Sequence, residues 1–189
     1  LRKIYLKFSD EDAAEIKEIE RVTNHDVKAV EYYIKQKFDA LNLTEYKEFV
    51  HFGLTSQDIN NTAIPLSVKD FIDEVYIPKL NTVLDSINVK CEELKDITII
   101  SRTHGQPASP TKLGKEFKVF WTRINNQLST LKELPNSAKF AGAVGNFNAH
   151  LVAYPNIDWK EFGQNFIENE LNLNYSFPTT QIEHYDSFA

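Results

Sequence analysis

The sequence predicts an all-α fold, a bundle of long amphipathic helices joined by short polar loops. Apolar residues recur every three or four positions along most of the chain, which is the spacing of one helix face. Glycine and proline are scarce, with 6 and 7 in 189 residues, so few loops are expected. Several apolar stretches also follow a Ser or Thr with Asp three residues later, a pattern typical of helix starts.

Start signals of this kind stand in the first third of the chain. They are Ser9 with Asp12, Thr23 with Asp26, and Thr55 with Asp58. The apolar stripes that follow them are Ala13, Ile16 and Ile19, then Val27, Val30 and Ile34, and last Ile59, Ala63, Leu66, Phe71 and Val75. We expect Pro78 to break or kink the third of these helices, because proline lacks the amide hydrogen of a helix interior, and Pro65 to bend it earlier.

Further helices are predicted after Pro78. The long stripes are Leu80, Val83, Leu84, Ile87, Cys91 and Leu94, and then Leu113, Phe117, Phe120, Trp121, Ile124, Leu128 and Leu131, which Pro135 ends. A shorter helix covers Trp159 to Glu170. The β-branched run Ile97 to Ile100 predicts a short extended piece, so at most a short β-hairpin is expected in the loops.

Composition and charge exclude several classes of protein. Hydrophobic residues make up 42% and charged residues 25% of the chain, which is normal for a globular domain. No run of roughly 18 apolar residues is present, so no membrane span is predicted. Lysine and arginine total 21 against 27 for aspartate and glutamate, which leaves no basic excess to bind nucleic acid.

The cysteine and methionine counts bear on the origin of the chain. The single cysteine, Cys91, cannot form an internal disulfide, and because no secretory leader is present we expect a cytoplasmic protein. Methionine is absent and the sequence begins with Leu1, so we expect an internal piece of a longer protein.

Polar residues concentrate in segments between the helices. The segments are Asn24 to Asp26, His51 to Asn61, Ser101 to Thr111, Gly142 to His150 and Thr179 to Glu183. They contain no H-x-x-x-H, C-x-x-C, Walker or Ser-His-Asp pattern, so no metal site, phosphate loop or hydrolase triad is predicted. The glycine-rich run Gly142 to Asn146 contains no lysine and follows no predicted strand, so we interpret its glycines as points of close backbone approach.

Some positions in these segments are candidates for chemistry. His104 lies in a polar loop, and histidine suits proton transfer near neutral pH. Thr55 and Ser56 stand at a helix start, where hydroxyls either cap the helix or help its free N–H groups to bind an anion. His25 stands at another helix start, where it can orient a ligand. The residues leave alternatives open. His104 could have no chemical role, and Thr55 and Asn24 could simply cap their helices.

By pattern alone, these loops indicate acid–base chemistry on an anionic substrate without metal. Four of them, in order, resemble the adenylosuccinate lyase family of the fumarase/aspartase superfamily: His51 to Asn61, Ser101 to Ala108, Gly142 to His150 and Thr179 to Glu183. The resemblance extends from His25 to the end of the chain. It implies a long-helix bundle, a homotetramer, and active sites that are each built from loops of three subunits.

The resemblance also implies an activity. The family eliminates fumarate from adenylosuccinate, leaving AMP, and from the succinylcarboxamide ribotide SAICAR, leaving AICAR. It uses no metal or organic cofactor, and its partners are these small nucleotides and fumarate, with no nucleic acid and no membrane. By the same resemblance, residues 1–50 are the end of an N-terminal helical domain. Residues 51–189 are the first part of a central bundle, whose remainder lies outside this sequence together with a C-terminal domain.

The motif matches assign roles to individual residues. His104 resembles the histidine that donates a proton to the departing nitrogen. Thr55 and Ser56 resemble the pair that binds the succinyl part, and Thr103 is expected to touch a carboxylate beside the acid. The remaining substrate contacts implied by the resemblance are Asn24, His25, Asp26 and Gln181, with His25 also supporting the acid.

Some of the family's machinery is missing from these residues. The serine-rich signature loop that carries the base is absent and is expected beyond Ala189, and few arginines are present to hold a phosphate and two carboxylates. We therefore expect the 189 residues alone to be inactive. The alternatives are another member of the superfamily, such as argininosuccinate lyase, fumarase or aspartase, or a helical oligomerisation module without chemistry of its own.

Overall fold

A computed structural model of the chain describes residues 1–189 and is predominantly helical. The all-α class predicted from the sequence is confirmed, with β structure limited to short pieces. The chain divides into two compact units, one formed by Leu1–Pro65 with Ser137–Ala189 and the other by Leu66–Asn136. None of the helices has both the length and the apolar character that crossing a bilayer requires.

The elements follow one another along the chain with few long connections. The first are α1 (Lys3–Leu6), α2 (Asp10–Thr23), α3 (Asp26–Ala40), a 3₁₀ turn (Thr44–Phe49), α4 (Ser56–Phe71), a π-helical turn (Ile72–Tyr76) and α5 (Ile77–Glu93). Then come β1 (Thr98–Thr103), β2 (Gln106–Lys112), α6 (Leu113–Glu133), β3 (Ser137–Ala138), α7 (Asn148–Ala153), α8 (Trp159–Asn165), a second π-helical turn (Phe166–Glu170), β4 (Asn174–Tyr175) and a closing 3₁₀ turn (Asp186–Phe188).

Asp12 ties the start of α2 to α3. The predicted capping box is present: the Ser9 hydroxyl accepts a hydrogen bond from the Asp12 amide at 3.3 Å, and Asp12 Oδ2 accepts one from the Ser9 amide at 3.1 Å. The same carboxylate accepts a hydrogen bond from the buried Tyr33 hydroxyl at 2.5 Å and lies 3.2 Å from Lys37 Nζ. One acidic side chain therefore starts a helix and docks the next one against it.

The start signal predicted at Thr23 is wrong, because α3 is capped by His25 instead. Asn24 adopts the left-handed conformation (φ 51°) and ends α2, which moves the next helix start two residues along. The Nδ1 atom of His25 accepts the hydrogen bond of the Lys28 amide at 3.2 Å. The Thr23 hydroxyl donates to backbone carbonyls, among them that of His25 at 3.2 Å.

Of the two outcomes predicted for Pro78, a break is wrong, and a kink stays a prediction. Helical residues run from Ser56 to Glu93, and the π-helical turn lies directly before the first turn of α5, where Pro78 is placed. A π-helical turn adds a residue to the hydrogen-bond cycle, so the missing amide of the proline is accommodated without ending the helix. Pro65 is likewise retained inside α4.

In the second unit, α5 and α6 pack closely and are joined by the hairpin β1–β2. Its first strand begins at Thr98, one residue into the extended piece predicted at Ile97 to Ile100. Strand pairing is antiparallel, from Thr98 opposite Lys112 to Thr103 opposite Gln106. In the first unit, β3 and β4 add a two-residue parallel pair that the sequence analysis did not anticipate. The domain boundary expected near residue 50 concerns a longer chain and stays a prediction.

Gly114 allows α6 to approach α5, and its replacement provides a test of this packing. A Cβ atom on Gly114 would lie 2.4 Å from the carbonyl oxygen of Cys91, closer than atoms pack. Gly114→Ala is therefore expected to destabilise the protein by about 1–3 kcal/mol, the usual cost of overpacking, although alanine favours helix by about 1 kcal/mol. Urea unfolding followed by circular dichroism measures the change.

Thr122→Ala, an exposed change on the same helix, is the matched control and should leave the free energy of unfolding within about 0.5 kcal/mol. A Gly114→Ala protein as stable as wild type would contradict the close approach.

Candidate active site

The starts of α3 and α4 bring two of the predicted site residues together. Ser56 Oγ lies 3.2 Å from His25 Nε2, while His25 Nδ1 accepts the amide of Lys28. Because Nδ1 acts as an acceptor, the neutral ring carries its proton on Nε2 and donates it to Ser56 Oγ. The imidazole is thus oriented by a helix cap and presents its other nitrogen to a hydroxyl.

Thr55 stands immediately before α4 and is held through its backbone. Its amide donates a hydrogen bond to Asp58 Oδ2 at 2.8 Å, and its carbonyl accepts one from the Asp58 amide at 3.0 Å. The predicted pairing of Thr55 with Asp58 therefore forms through the aspartate side chain. Thr55 and Ser56 are both partly exposed at the positive end of α4, where an anion is favoured.

Asp58 also forms an ion pair that is completely enclosed. Its Oδ1 lies 2.9 Å from Lys139 Nζ, and neither side chain has any exposed surface. The same oxygen accepts hydrogen bonds from the amides of Ala141 at 2.8 Å and Gly142 at 3.1 Å. Each carboxylate oxygen is consequently satisfied, as a buried charge requires.

Lys139 and Asn61 extend this network to the end of the chain. Lys139 Nζ donates to the carbonyl of Gly142 at 2.5 Å and to that of Gln181 at 2.8 Å. Asn61 Oδ1 accepts the amide of Glu183 at 3.0 Å, and the Asn61 carbonyl accepts the Lys139 amide at 3.2 Å. We call Asp58, Asn61 and Lys139 the polar clamp, because these side chains fasten two distant loops onto the first turn of α4.

An aromatic cluster lies beside the clamp and encloses His150. The ring of His150 is 4.7 Å from that of Trp159 and 5.5 Å from those of Phe52 and Phe147, measured between centroids. Gly53 covers the same ring so closely that a Cβ atom would lie 2.7 Å from His150 Cε1. Burial lowers the pKa of His150, so folding favours the neutral ring.

The glycine-rich segment performs the close approach predicted for it. Gly145 has φ +81°, and a Cβ atom there would lie 2.1 Å from the carbonyl oxygen of Thr179. This contact brings the Gly142 to His150 segment against the Thr179 to Glu183 segment. Only a residue without a side chain fits at this point.

A second charged group lies on α3 beside His51. Glu31 is buried, with its carboxylate 2.5 Å from Lys28 Nζ and 3.1 Å from Lys35 Nζ. Burial opposes ionisation of Glu31, but its hydrogen bonds to Lys28 and Lys35 outweigh burial and lower its pKa. His51, in the left-handed conformation, has its Nδ1 3.8 Å from Glu31 Oε2, and burial lowers its pKa.

The tip of the hairpin in the second unit carries Thr103 and His104. His104 and Gly105 form a two-residue turn in which both have positive φ, 50° and 78°. The guanidinium of Arg102 donates to the carbonyl of Gly105 at 3.1 Å and fastens the turn. The His104 side chain is exposed, which is compatible with contact to a substrate.

Comparison with known proteins decides the family. Residues 1–186 match the family model described as Lyase. The chain belongs to this lyase family. It is 50% identical over 194 residues to the adenylosuccinate lyase of Dictyostelium discoideum, 47% over 190 residues to that of Vibrio cholerae, and 45% over 190 residues to that of Escherichia coli K12. These alignments cover 100% of this chain and 41–42% of the relatives, so the chain spans about two fifths of their length.

A solved structure supports the fold of this lyase chain. The crystal structure of 3-carboxy-cis,cis-muconate lactonizing enzyme from Pseudomonas putida superposes with a TM-score of 0.66 at 22% identity, covering 91% of this chain and 38% of that one. At this level of identity the likeness concerns the fold alone. The resemblance that the loop motifs indicated is confirmed by the family match and by the named relatives.

The predicted site residues of the lyase fall into both units. Asn24, His25, Asp26, Thr55, Ser56 and Gln181 belong to the first unit, and Thr103 and His104 to the second. Asn24 and Asp26 are exposed on either side of His25, and the Asp26 carboxylate accepts the Val27 amide at 2.7 Å. Gln181 has an exposed side chain and a carbonyl held by Lys139. The described residues contain no group of three or more His, Cys, Asp or Glu side chains that could hold a metal ion.

The local sequence pattern does not predict the polar clamp, because it presents Asp58 only as part of a helix start. A signal was present, since Lys139 stands in the otherwise apolar run Ala138 to Ala141, where a buried lysine is unusual unless it is paired. Its partner could not be named from spacing, because Asp58 lies far away in the sequence.

The buried His150 gives a pH-dependent prediction. Its pKa is lower in the folded than in the unfolded chain, so protons favour the unfolded state, and stability is lost as pH falls below about 6.5. His150→Phe removes this contribution, and the stability gap between the proteins should change by at most about 1.4 kcal/mol per pH unit in that range.

Urea unfolding at pH 7.5 and 5.5, followed by tryptophan fluorescence, measures this change. The comparison uses the slope with pH, so any constant cost of the larger phenyl ring cancels. Equal pH dependence in the two proteins would show that His150 does not titrate differently on folding.

Proposed function

We propose that the full-length protein is an adenylosuccinate lyase that eliminates fumarate from adenylosuccinate to give AMP. The same reaction on SAICAR gives AICAR, which places the enzyme in the purine pathways to IMP and AMP. The observation that carries this proposal is 45–50% identity, over the whole chain, to relatives named adenylosuccinate lyase. A cytoplasmic homotetramer with shared active sites is part of the proposal.

The reaction requires groups that can stabilise a carboxylate as charge develops on it. A base removes the proton from the carbon beside a carboxylate of the succinyl part, and the C–N bond to the purine side then breaks. Fixed hydrogen-bond donors stabilise the intermediate charge best when they are oriented in advance. The hydroxyls of Thr55 and Ser56, at the positive end of α4, supply such donors.

His104 is the proposed general acid for the departing nitrogen. Its exposure and its place on a turn fastened by Arg102 support this role, since the imidazole is free while its backbone is fixed. Thr103, the neighbour of His104 in the chain, is proposed to contact a substrate carboxylate. The base comes from a loop outside these residues, which agrees with the partial coverage of the relatives.

His25 is the proposed supporting group. Its Nε2 atom forms a hydrogen bond with Ser56 Oγ. In the proposal, the imidazole therefore connects the part of the site that binds the nucleotide with the part that binds the succinyl group. Asn24 and Asp26 flank the imidazole and provide exposed polar groups for the nucleotide. Gln181 contributes its exposed amide as a further substrate contact.

The activity and the acid are tested together in the full-length protein. Wild type should consume adenylosuccinate, as measured by ultraviolet absorbance, and release fumarate. His104→Ala should lower kcat by at least about a hundredfold, because proton transfer by a positioned acid contributes about that much, while KM changes far less.

The control is His184→Ala, which removes another exposed histidine and should leave kcat unchanged. Wild type without adenylosuccinate turnover would reject the proposed function. An active wild type with an equally active His104→Ala variant would reject only the assignment of the acid.

The hydroxyl of Ser56 is expected to bind the succinyl part. Ser56→Ala should weaken binding of fumarate by at least about tenfold, since one hydrogen bond to a charged group contributes about 1.5 kcal/mol, and should weaken binding of AMP less. Calorimetric titration of the full-length protein with each ligand provides the measurement.

Ser129→Ala, an exposed serine on α6, is the control and should leave both affinities unaltered. If Ser56→Ala weakened AMP as much as fumarate, the hydroxyl would belong to the nucleotide side instead.

A further inference from the structure

The polar clamp joins three of the loop motifs through side chains that no ligand can reach. Asp58 belongs to the first turn of α4, Lys139 precedes the glycine-rich segment, and the carbonyl that Lys139 binds belongs to Gln181. Asp58 and Lys139 have no exposed side-chain surface, so neither can contact a substrate directly.

We propose that Asp58 and Lys139 are a positioning pair that fixes the distance between the Thr55–Ser56 hydroxyls and the Gln181 segment. The inference rests on the proposed function, because it concerns the geometry of the same succinyl site. It adds residues that act through others and that the loop resemblance did not assign.

A short, continuous path of hydrogen bonds joins the Thr55 amide to the Gln181 carbonyl. The Thr55 amide is bound by Asp58 Oδ2, Asp58 Oδ1 is paired with Lys139 Nζ, and that ammonium binds the Gln181 carbonyl. Every link is 2.8–2.9 Å long, and the ion pair lies away from water, so screening by salt is weak. A shift at one end of the path must therefore move the other.

Stability alone is a poor reason for such a pair. Removing two charges from water costs about as much as their attraction returns, so an apolar pair of similar volume is often as stable. What an ion pair with five backbone partners adds is direction, because it binds each loop through particular backbone groups and in one orientation. A substrate held on both sides needs this, because an error of about 1 Å in position can cost about a hundredfold in rate.

The test uses variants of the full-length enzyme at a temperature well below unfolding. Lys139→Met keeps an unbranched side chain that is shorter only by the terminal nitrogen, so the Gln181 carbonyl loses its donor. Asp58→Asn keeps the size of the side chain, removes its charge and replaces one of its two acceptor oxygens with an NH2 donor, so one group of backbone donors loses its acceptor. Phe38→Leu, a change at a buried position of α3 without contact to the clamp, is the control for general destabilisation.

The positioning role predicts a loss of catalytic efficiency in protein that remains folded. Lys139→Met should lower kcat/KM for adenylosuccinate about a hundredfold, and Asp58→Asn at least about tenfold, per folded site. Phe38→Leu should lower Tm but leave kcat/KM within about twofold. If kcat/KM, calculated on the concentration of folded active sites, were unchanged in Asp58→Asn, the pair would have a structural role only. This conclusion does not depend on whether Lys139→Met folds.

Hydrogen exchange followed by mass spectrometry separates this inference from the proposed function. Amides of residues 179–185 and 141–147 should exchange faster in Lys139→Met than in Phe38→Leu. Wild type without adenylosuccinate turnover would reject the proposed function, whatever the exchange rates. With an active wild type, unchanged exchange in both segments would reject the positioning pair, because Lys139 would then not be what holds them.

Discussion

The buried ion pair between Asp58 and Lys139 is the interaction on which the first unit depends. A carboxylate and an ammonium without solvent contact must have every hydrogen-bonding position filled, and here the backbone fills them. The amides of Ala141 and Gly142 and the carbonyl of Gln181 are therefore bound where the charges require them. Loops that are distant in the sequence become fixed to the first turn of α4, where the proposed succinyl contacts stand.

Close backbone approach lets the loops reach these positions. Gly53 covers the His150 ring, and Gly145 touches the Thr179 carbonyl, at distances that no side chain would permit. The aromatic cluster around His150 and Trp159 then supplies the apolar burial that a network of polar bonds does not provide. The Asp58–Lys139 ion pair orients the loops, and the aromatic cluster stabilises the first unit.

The sequence was sufficient for local structure and for the family. Apolar spacing predicted the long helices, the Ser9 capping box was recognised, and the loop motifs indicated the lyase family. The errors arose where several local choices compete. Asn24 ends α2 and His25 caps α3, whereas the sequence pattern places the cap at Thr23. Pro78 follows a π-helical turn and does not end the helix. The polar clamp was out of reach because Asp58 contacts residues more than 80 positions later, as the 83-residue separation from Ala141 shows.

A crystal structure of the full-length protein with AMP and fumarate bound would show whether the start of α4 is both held by the Asp58–Lys139 pair and used for substrate binding. We expect a fumarate carboxylate within hydrogen-bonding distance of Ser56 Oγ, with His25 beside it and the Asp58–Lys139 pair intact. Fumarate bound away from Thr55 and Ser56, or an Asp58 carboxylate turned from Lys139 toward the ligand, would contradict this expectation.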